Sequence, residues 1–151
     1  KAVKMDYREL ALEFIKIMEN SHKLRRANPQ KQIDESLQGE RFVLQFIASH
    51  NGDVLPSEIS HEMGISSARI AVTLNGLERK GLITRQIDTS DRRRILVDLT
   101  PKGKTLVEER RQEALERVTK MFSKLGEHDA REYVRITAKL AEVDLQQNAR
   151  E

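Results

Sequence analysis

Apolar residues in this chain recur in two rhythms. Near the start, Tyr7, Leu10, Ala11, Phe14, Ile15 and Met18 fall at the i, i+3, i+4, i+7 spacing of one helical face. Asn28-Pro29 breaks that rhythm, because a residue before proline is driven out of the α region. A polar loop is expected to about Ser36, then a second helix carrying Phe42, Val43, Phe46 and Ile47. Asn51-Gly52 stops it, since glycine readily takes the left-handed conformation beyond a helix end.

From there the elements shorten. Val54-Leu55 predicts a very short strand. Pro56 opens a short helix with Ile59 and Met63 on its apolar face, and Gly64 ends it. Ser66 or Ser67 caps another helix running to about Lys80, with Gly81 just past its end. Leu82–Ile87 and Arg94–Leu99 read as a β-hairpin with a polar tip between them. Thr100-Pro101 begins a long helix bearing Leu106, Arg110, Ala114, Val118, Met121, Phe122 and Leu125, closed at Gly126. A last helix from about Asp129 sets Ala130, Tyr133, Val134, Thr137, Leu140 and Ala141 on one side. The fold class expected is mainly α with a small β-hairpin.

A short helix, a glycine turn and a second capped helix form the helix-turn-helix plan, here followed by a hairpin as a wing. On the second helix Ile70, Leu74 and Leu77 fall together and must face the core. The opposite side holds Ala68, Arg69, Val72, Asn75, Gly76 and Arg79, which is short and nearly free of acid. Such a face suits a helix entering a major groove about 12 Å wide. Ala68 and Val72 can approach thymine methyls, Arg69 can reach guanine or phosphate, and Ser66 and Ser67 at the helix start can bind phosphate oxygens. Thr73 and Arg85 complete this DNA-facing set. The alternative is a helix whose outer face packs within its own chain.

Charge sharpens the choice. The whole chain carries a formal +3. Between Ser66 and Lys104, however, nine basic residues face four acidic ones, a local excess of +5, so the remainder is net negative. Within the wing, Arg92-Arg93-Arg94 crowd like charges onto a tight loop, a costly arrangement unless an anion neutralises it. Arginine also suits the strong negative potential of a narrow A·T-rich minor groove. Asp91 beside the run can hold an arginine extended by a charge-assisted hydrogen bond.

These residues resemble the MarR (multiple antibiotic resistance regulator) family. Asp91-Arg92-Arg93-Arg94-Ile95-Leu96-Val97-Asp98-Leu99-Thr100-Pro101-Lys102-Gly103 is similar to that family's wing signature, roughly D-x-R-x-x-x-x-x-L-T-x-x-G. Leu77-Glu78-Arg79-Lys80-Gly81-Leu82-Ile83 looks like its recognition-helix end. The resemblance implies a winged helix-turn-helix regulator of transcription, most often a repressor. It implies a dimer with interlocked terminal helices and two wings flanking a pseudo-palindromic operator in double-stranded DNA. It places Arg93 in the minor groove with Asp91 as its support, and Ser66, Ser67 and Arg69 toward the major groove. It also suggests a small phenolic or anionic effector.

The expected division is residues 51–100 as the DNA-binding domain, with 1–50 and 101–151 as a helical dimerisation region. A monomer would leave the apolar stripes of the terminal helices partly wet, which marks an interface, and a twofold homodimer is the simplest closed solution. Candidate effector contacts are Phe14, Met18 and His22 on the first helix, Phe42 and Phe46 on the second, and Arg110, a cation within an apolar stripe.

Other functions find little support. The chain has no cysteine, which removes disulfides, thiolate metal sites and thiol-based peroxide sensing. His22, His50, His61 and His128 lie far apart, so no metal site is expected. No phosphate loop or nucleophile–base constellation appears. Neither enzymatic activity nor a cofactor is therefore expected. No apolar run approaches the roughly 18 residues of a membrane span, and the first residues lack an apolar leader, so a cytoplasmic protein is expected. The alternative in a different class is a winged-helix module that docks other proteins.

Overall fold

The computed structural model describes residues 4–22 and 35–148. Along these run α1 (Tyr7–His22), α2 (Glu35–Ser49), α3 (Pro56–Met63), α4 (Ser67–Arg79), β1 (Ile83–Ile87), β2 (Ile95–Leu99), α5 (Pro101–Leu125) and α6 (Glu127–Asn148). The chain is mainly helical with a single antiparallel hairpin, the winged helix-turn-helix class expected from its periodicity. The expected break at Asn28-Pro29 lies outside the described residues. No described helix is long and apolar enough to cross a membrane. Two compact units divide the chain, one of residues 1–25 with 110–151 and one of residues 26–109.

The second unit is built on α4. Ile70, Leu74 and Leu77 are at most 1% exposed and meet Val43, Leu44 and Ile47 of α2, Ile59 of α3, and Ile83 and Val97 of the hairpin. Each such side chain contributes about 1.5–3 kcal/mol of burial. The sequence grouped α2 with the terminal helices, yet it packs here against α4 and β2. Gly64, with φ of +64°, makes the turn between α3 and α4, a conformation that L side chains rarely adopt. The expected strand at Val54-Leu55 shrinks to one bridge, Val54 exchanging backbone hydrogen bonds of 3.0 and 2.8 Å with Val97. Leu55 stays extended (φ −86°, ψ 142°) but serves as the N-cap of α3, so Val54 alone pairs with the hairpin.

The hairpin pairs Ile83 with Leu99, Arg85 with Val97 and Ile87 with Ile95. Its exit is locked to the end of α4. Thr100 receives the Gly103 N–H on its hydroxyl oxygen at 3.0 Å, capping α5, and donates that hydroxyl to the Gly81 carbonyl at 2.6 Å. Its own N–H reaches the Leu82 carbonyl at 3.1 Å. That same carbonyl oxygen lies 2.1 Å from where a Cβ on Gly103 would stand. The Leu99-Thr100-Pro101-Lys102-Gly103 run is thus a joint between wing, α4 and α5, and only glycine fits at its last position.

The first unit joins α1, most of α5, and α6 around Leu10, Ala11, Leu115, Phe122, Ala130 and Val134. Phe14 packs edge-on to Phe122 with ring centres 5.6 Å apart, and lies 5.5 Å from Tyr133. The helical stripes read from sequence are wider than this core. Met121, Leu125, Tyr133 and Leu140, all on the apolar stripes read from spacing, are 40–60% exposed, as are Ile136 and Val143. Within one unit, three helices cannot cover so broad an apolar arc.

Candidate nucleic-acid interface

α4 starts where Ser66 leaves the extended region (φ −63°, ψ 150°) and its hydroxyl accepts the Arg69 N–H at 3.3 Å. Capping satisfies one of the orphan amides of the first turn. Ser66, Ser67, Ala68 and Arg69 are all exposed around that start, and the N-terminal end of the helix dipole is positive there. One turn on, Val72 is 69% exposed. Thr73 is half-buried and its hydroxyl donates to the Arg69 carbonyl at 3.1 Å, while Arg79 stands exposed in the last turn.

The outward face is narrower than the helical wheel suggested. Asn75 accepts a hydrogen bond from Arg85 at 2.6 Å, so it turns to the hairpin. A Cβ at Gly76 would stand 3.3 Å from the Glu40 carboxylate, so that position faces α2. Lys80 closes the same edge with a 2.6 Å ion pair to Glu40. Ser66, Ser67 and Ala68 at the start of α4, and Val72 one turn on, stay exposed.

Arg85, expected among the DNA-facing residues, is held by hydrogen bonds to α4 within the unit. Its Nε donates to Glu78 Oε2 at 2.9 Å and its Nη2 to Glu78 Oε1 at 3.2 Å, besides the bond to Asn75. That hydrogen bonding, with the guanidinium charge, holds the Glu78 carboxyl below the usual glutamate range and the Arg85 guanidinium above its own.

The wing tip is folded by two aspartates. Asp88 accepts the Ser90 N–H at 2.9 Å and its hydroxyl at 2.7 Å, with the Arg94 guanidinium 3.8 Å away. Asp91 accepts the backbone N–H and Nε of Arg93, each at 3.1 Å. Those contacts, Ser90 on Asp88 and Arg93 on Asp91, keep both carboxyls below the ordinary aspartate range. Arg93 is pinned at its base but 91% exposed along its side chain. Arg92 and Arg94 are exposed as well. Sequence reasoning missed Asp88, although Asp88-Thr89-Ser90 carries the local signature of an Asx turn. The Glu78 and Asn75 roles carry no local signal, because their partner lies in another element.

The effector candidates fall within the two units as follows. Phe42 and Phe46 stack at 6.4 Å on α2, and Phe46 stacks on His50 at 4.0 Å. Phe14 belongs to the core of the first unit, and Met18 and Arg110 are half-buried. The His22 side chain lies outside the described residues. Among the described residues no three acidic or histidine side chains gather as a metal site, and no buried side-chain polar atom lacks a partner.

Comparison with known proteins agrees with this geometry. A sequence model of the MarR family matches residues 39–94, from α2 to the wing tip. The HTH-type transcriptional repressor MdtR of Bacillus subtilis is 34% identical over 110 residues, 71% of this chain and 70% of that protein. Among solved structures, the YusO protein of Bacillus subtilis superposes with a TM-score of 0.62 at 27% identity, over 90% of this chain and 86% of that one. FabT of Streptococcus pneumoniae, solved in complex with DNA, has the same fold at 24% identity and a TM-score of 0.62, over 97% of this chain and all of that one (100%). With the wing signature, the helix order and these relatives in agreement, the chain belongs to the MarR family of transcription regulators.

Proposed function

We propose that this protein is a sequence-specific, double-stranded DNA-binding repressor that acts as a homodimer on a pseudo-palindromic operator. The observation that carries the reading is the pairing of two features in one unit. One is the exposed start of α4, with Val72 69% exposed as well. The other is a hairpin tip where Asp91 pins Arg93 while its side chain stays 91% exposed. In this reading Ala68, Arg69 and Val72 meet base edges in the major groove. Ser66, Ser67, Thr73 and Arg79 take phosphates, and Arg93 enters the minor groove flanked by Arg92 and Arg94. The repressor role is supported by MdtR, itself a repressor, and DNA as partner by the FabT complex.

The dimer is supported by the uncovered apolar arc of α5 and α6, where Tyr133, Ile136, Leu140 and Val143 recur at helical spacing. Release by a small anionic or phenolic effector belongs to the same proposal, with Arg110 as the cation to receive it. A protein-docking module fits less well, because three exposed arginines crown the tip of the wing.

Selection of bound duplexes from a random pool tests the whole reading. Recovered sites should be inverted repeats with half-sites one helical turn apart and A·T-rich flanks. Recovery of no preferred duplex, with no loss of binding as salt rises, would falsify it.

A further inference from the structure

We infer that Arg85 is a positioning residue, a strap from hairpin to recognition helix that sets where the arginine tip stands relative to α4. The inference rests on the DNA-binding function proposed above and assigns Arg85 a part other than touching DNA.

Register carries the argument. Ile83, Arg85 and Ile87 follow one another on the same face of β1, paired across the hairpin with Leu99, Val97 and Ile95. Ile83, Val97 and Leu99 are buried and anchor the base of the hairpin in the core. Two residues beyond, Ile87 is 65% exposed and Ile95 47%, so the core no longer reaches the hairpin there. Arg85 stands between the two regimes. It joins Glu78 through both of its oxygens, at 2.9 and 3.2 Å, and Asn75 at 2.6 Å, one turn apart on α4. The tip is held by its own aspartates and reaches beyond this last tie.

Leverage makes the tie consequential. From Ile83 to Ile87, where the tip begins, is about 13 Å of strand at roughly 3.3 Å per residue. A swing of roughly 10° about the base would therefore move the start of the tip by about 2 Å, more than a hydrogen bond tolerates. A planar guanidinium can grip one carboxylate and one amide together, whereas an ammonium is a point charge that grips neither orientation. The bond to Glu78 also keeps this cation's charge largely neutralised, which a phosphate contact would not require.

Two measurements decide it. The first needs no DNA: trypsin cleavage after Arg92, Arg93 and Arg94 in the wild type, R85K and E78Q. A strap predicts several-fold faster tip cleavage in both variants with unchanged far-ultraviolet circular dichroism. Equal rates in all three overturn the inference, whatever the protein binds.

The second is fluorescence anisotropy on a labelled duplex recovered from the random pool, over a salt series, with a hydroxyl-radical footprint. R85K should bind about tenfold more weakly with an unchanged salt slope and lose flank protection while keeping that of α4. E78Q should also bind more weakly, although it removes a negative charge. R93A should cost less in the R85K background than in the wild type. R85K binding like wild type, E78Q binding more tightly, or R93A costing the same factor in both backgrounds would overturn it. Failure of the wild type to bind any duplex would strike the function itself, and the cleavage rates would still decide the strap.

Discussion

Substituting alanine for Gly103 puts the joint between wing and helix to a quantitative test. A Cβ there would stand 2.1 Å from the Leu82 carbonyl oxygen and 3.1 Å from its carbon. Carbon and oxygen settle at about 3.3 Å or more, so something must yield by over roughly 1 Å. The obstacle is backbone, and it already accepts the Thr100 N–H at 3.1 Å. Three contributions decide the sign. Alanine gains about 0.8–1 kcal/mol over glycine in helix propensity. Weakening the Thr100 bond costs about 0.5–1.5 kcal/mol, and forced overpacking costs about 1–3 kcal/mol. The net expectation is a loss of roughly 1–3 kcal/mol. Gly39→Ala is the control, because Gly39 sits within α2 with nothing within 4 Å of an added Cβ. That variant should gain up to about 1 kcal/mol. Urea unfolding of both at one protein concentration reads the difference. A Gly103→Ala protein as stable as wild type would refute the close approach and the joint with it.

Other outcomes follow from the same geometry. Arg93→Ala should weaken DNA binding on every sequence and lower the salt slope by about one, with an added loss of preference for A·T-rich flanks; an unchanged slope in a titration across salt counts against the wing assignment. Both wing aspartates have depressed pKa values, set by the Ser90 and Arg93 hydrogen bonds. Their contribution to tip order is therefore complete above the ordinary aspartate pKa of about 3.9 and is lost as pH falls through their lower folded values. The amide resonances of Ser90 and Arg93 should report that transition, and a midpoint at or above 3.9 would contradict the hydrogen bonds. Leu140→Glu, at a position 60% exposed in one copy, should barely alter the fold of the single chain but split the proposed homodimer. Sedimentation should then shift toward 17.4 kDa, and a variant that stays dimeric would place the interface elsewhere.

Much of this protein is written in local chemistry. Ile70, Leu74 and Leu77 declare the buried side of α4 by spacing alone, since a helix turning 3.6 residues per turn lines them up whatever surrounds it. Ser66, Gly64 and Thr100-Pro101 mark helix ends because caps and left-handed turns are properties of a few consecutive residues. The Asp91–Arg93 pairing is likewise local, two residues apart. Tertiary structure decided what lies between elements. It turned Arg85 and Asn75 toward each other, faced Gly76 to Glu40 and brought α2 into the core of the second unit. It made Gly103 obligatory by bringing a carbonyl from a different element against it. It also decided how much of the α6 stripe stays uncovered in one copy, leaving Tyr133 and Leu140 exposed. Spacing along a helix fixes which side chains share a face, but what that face meets depends on residues tens of positions away, and one-dimensional pattern carries no record of that.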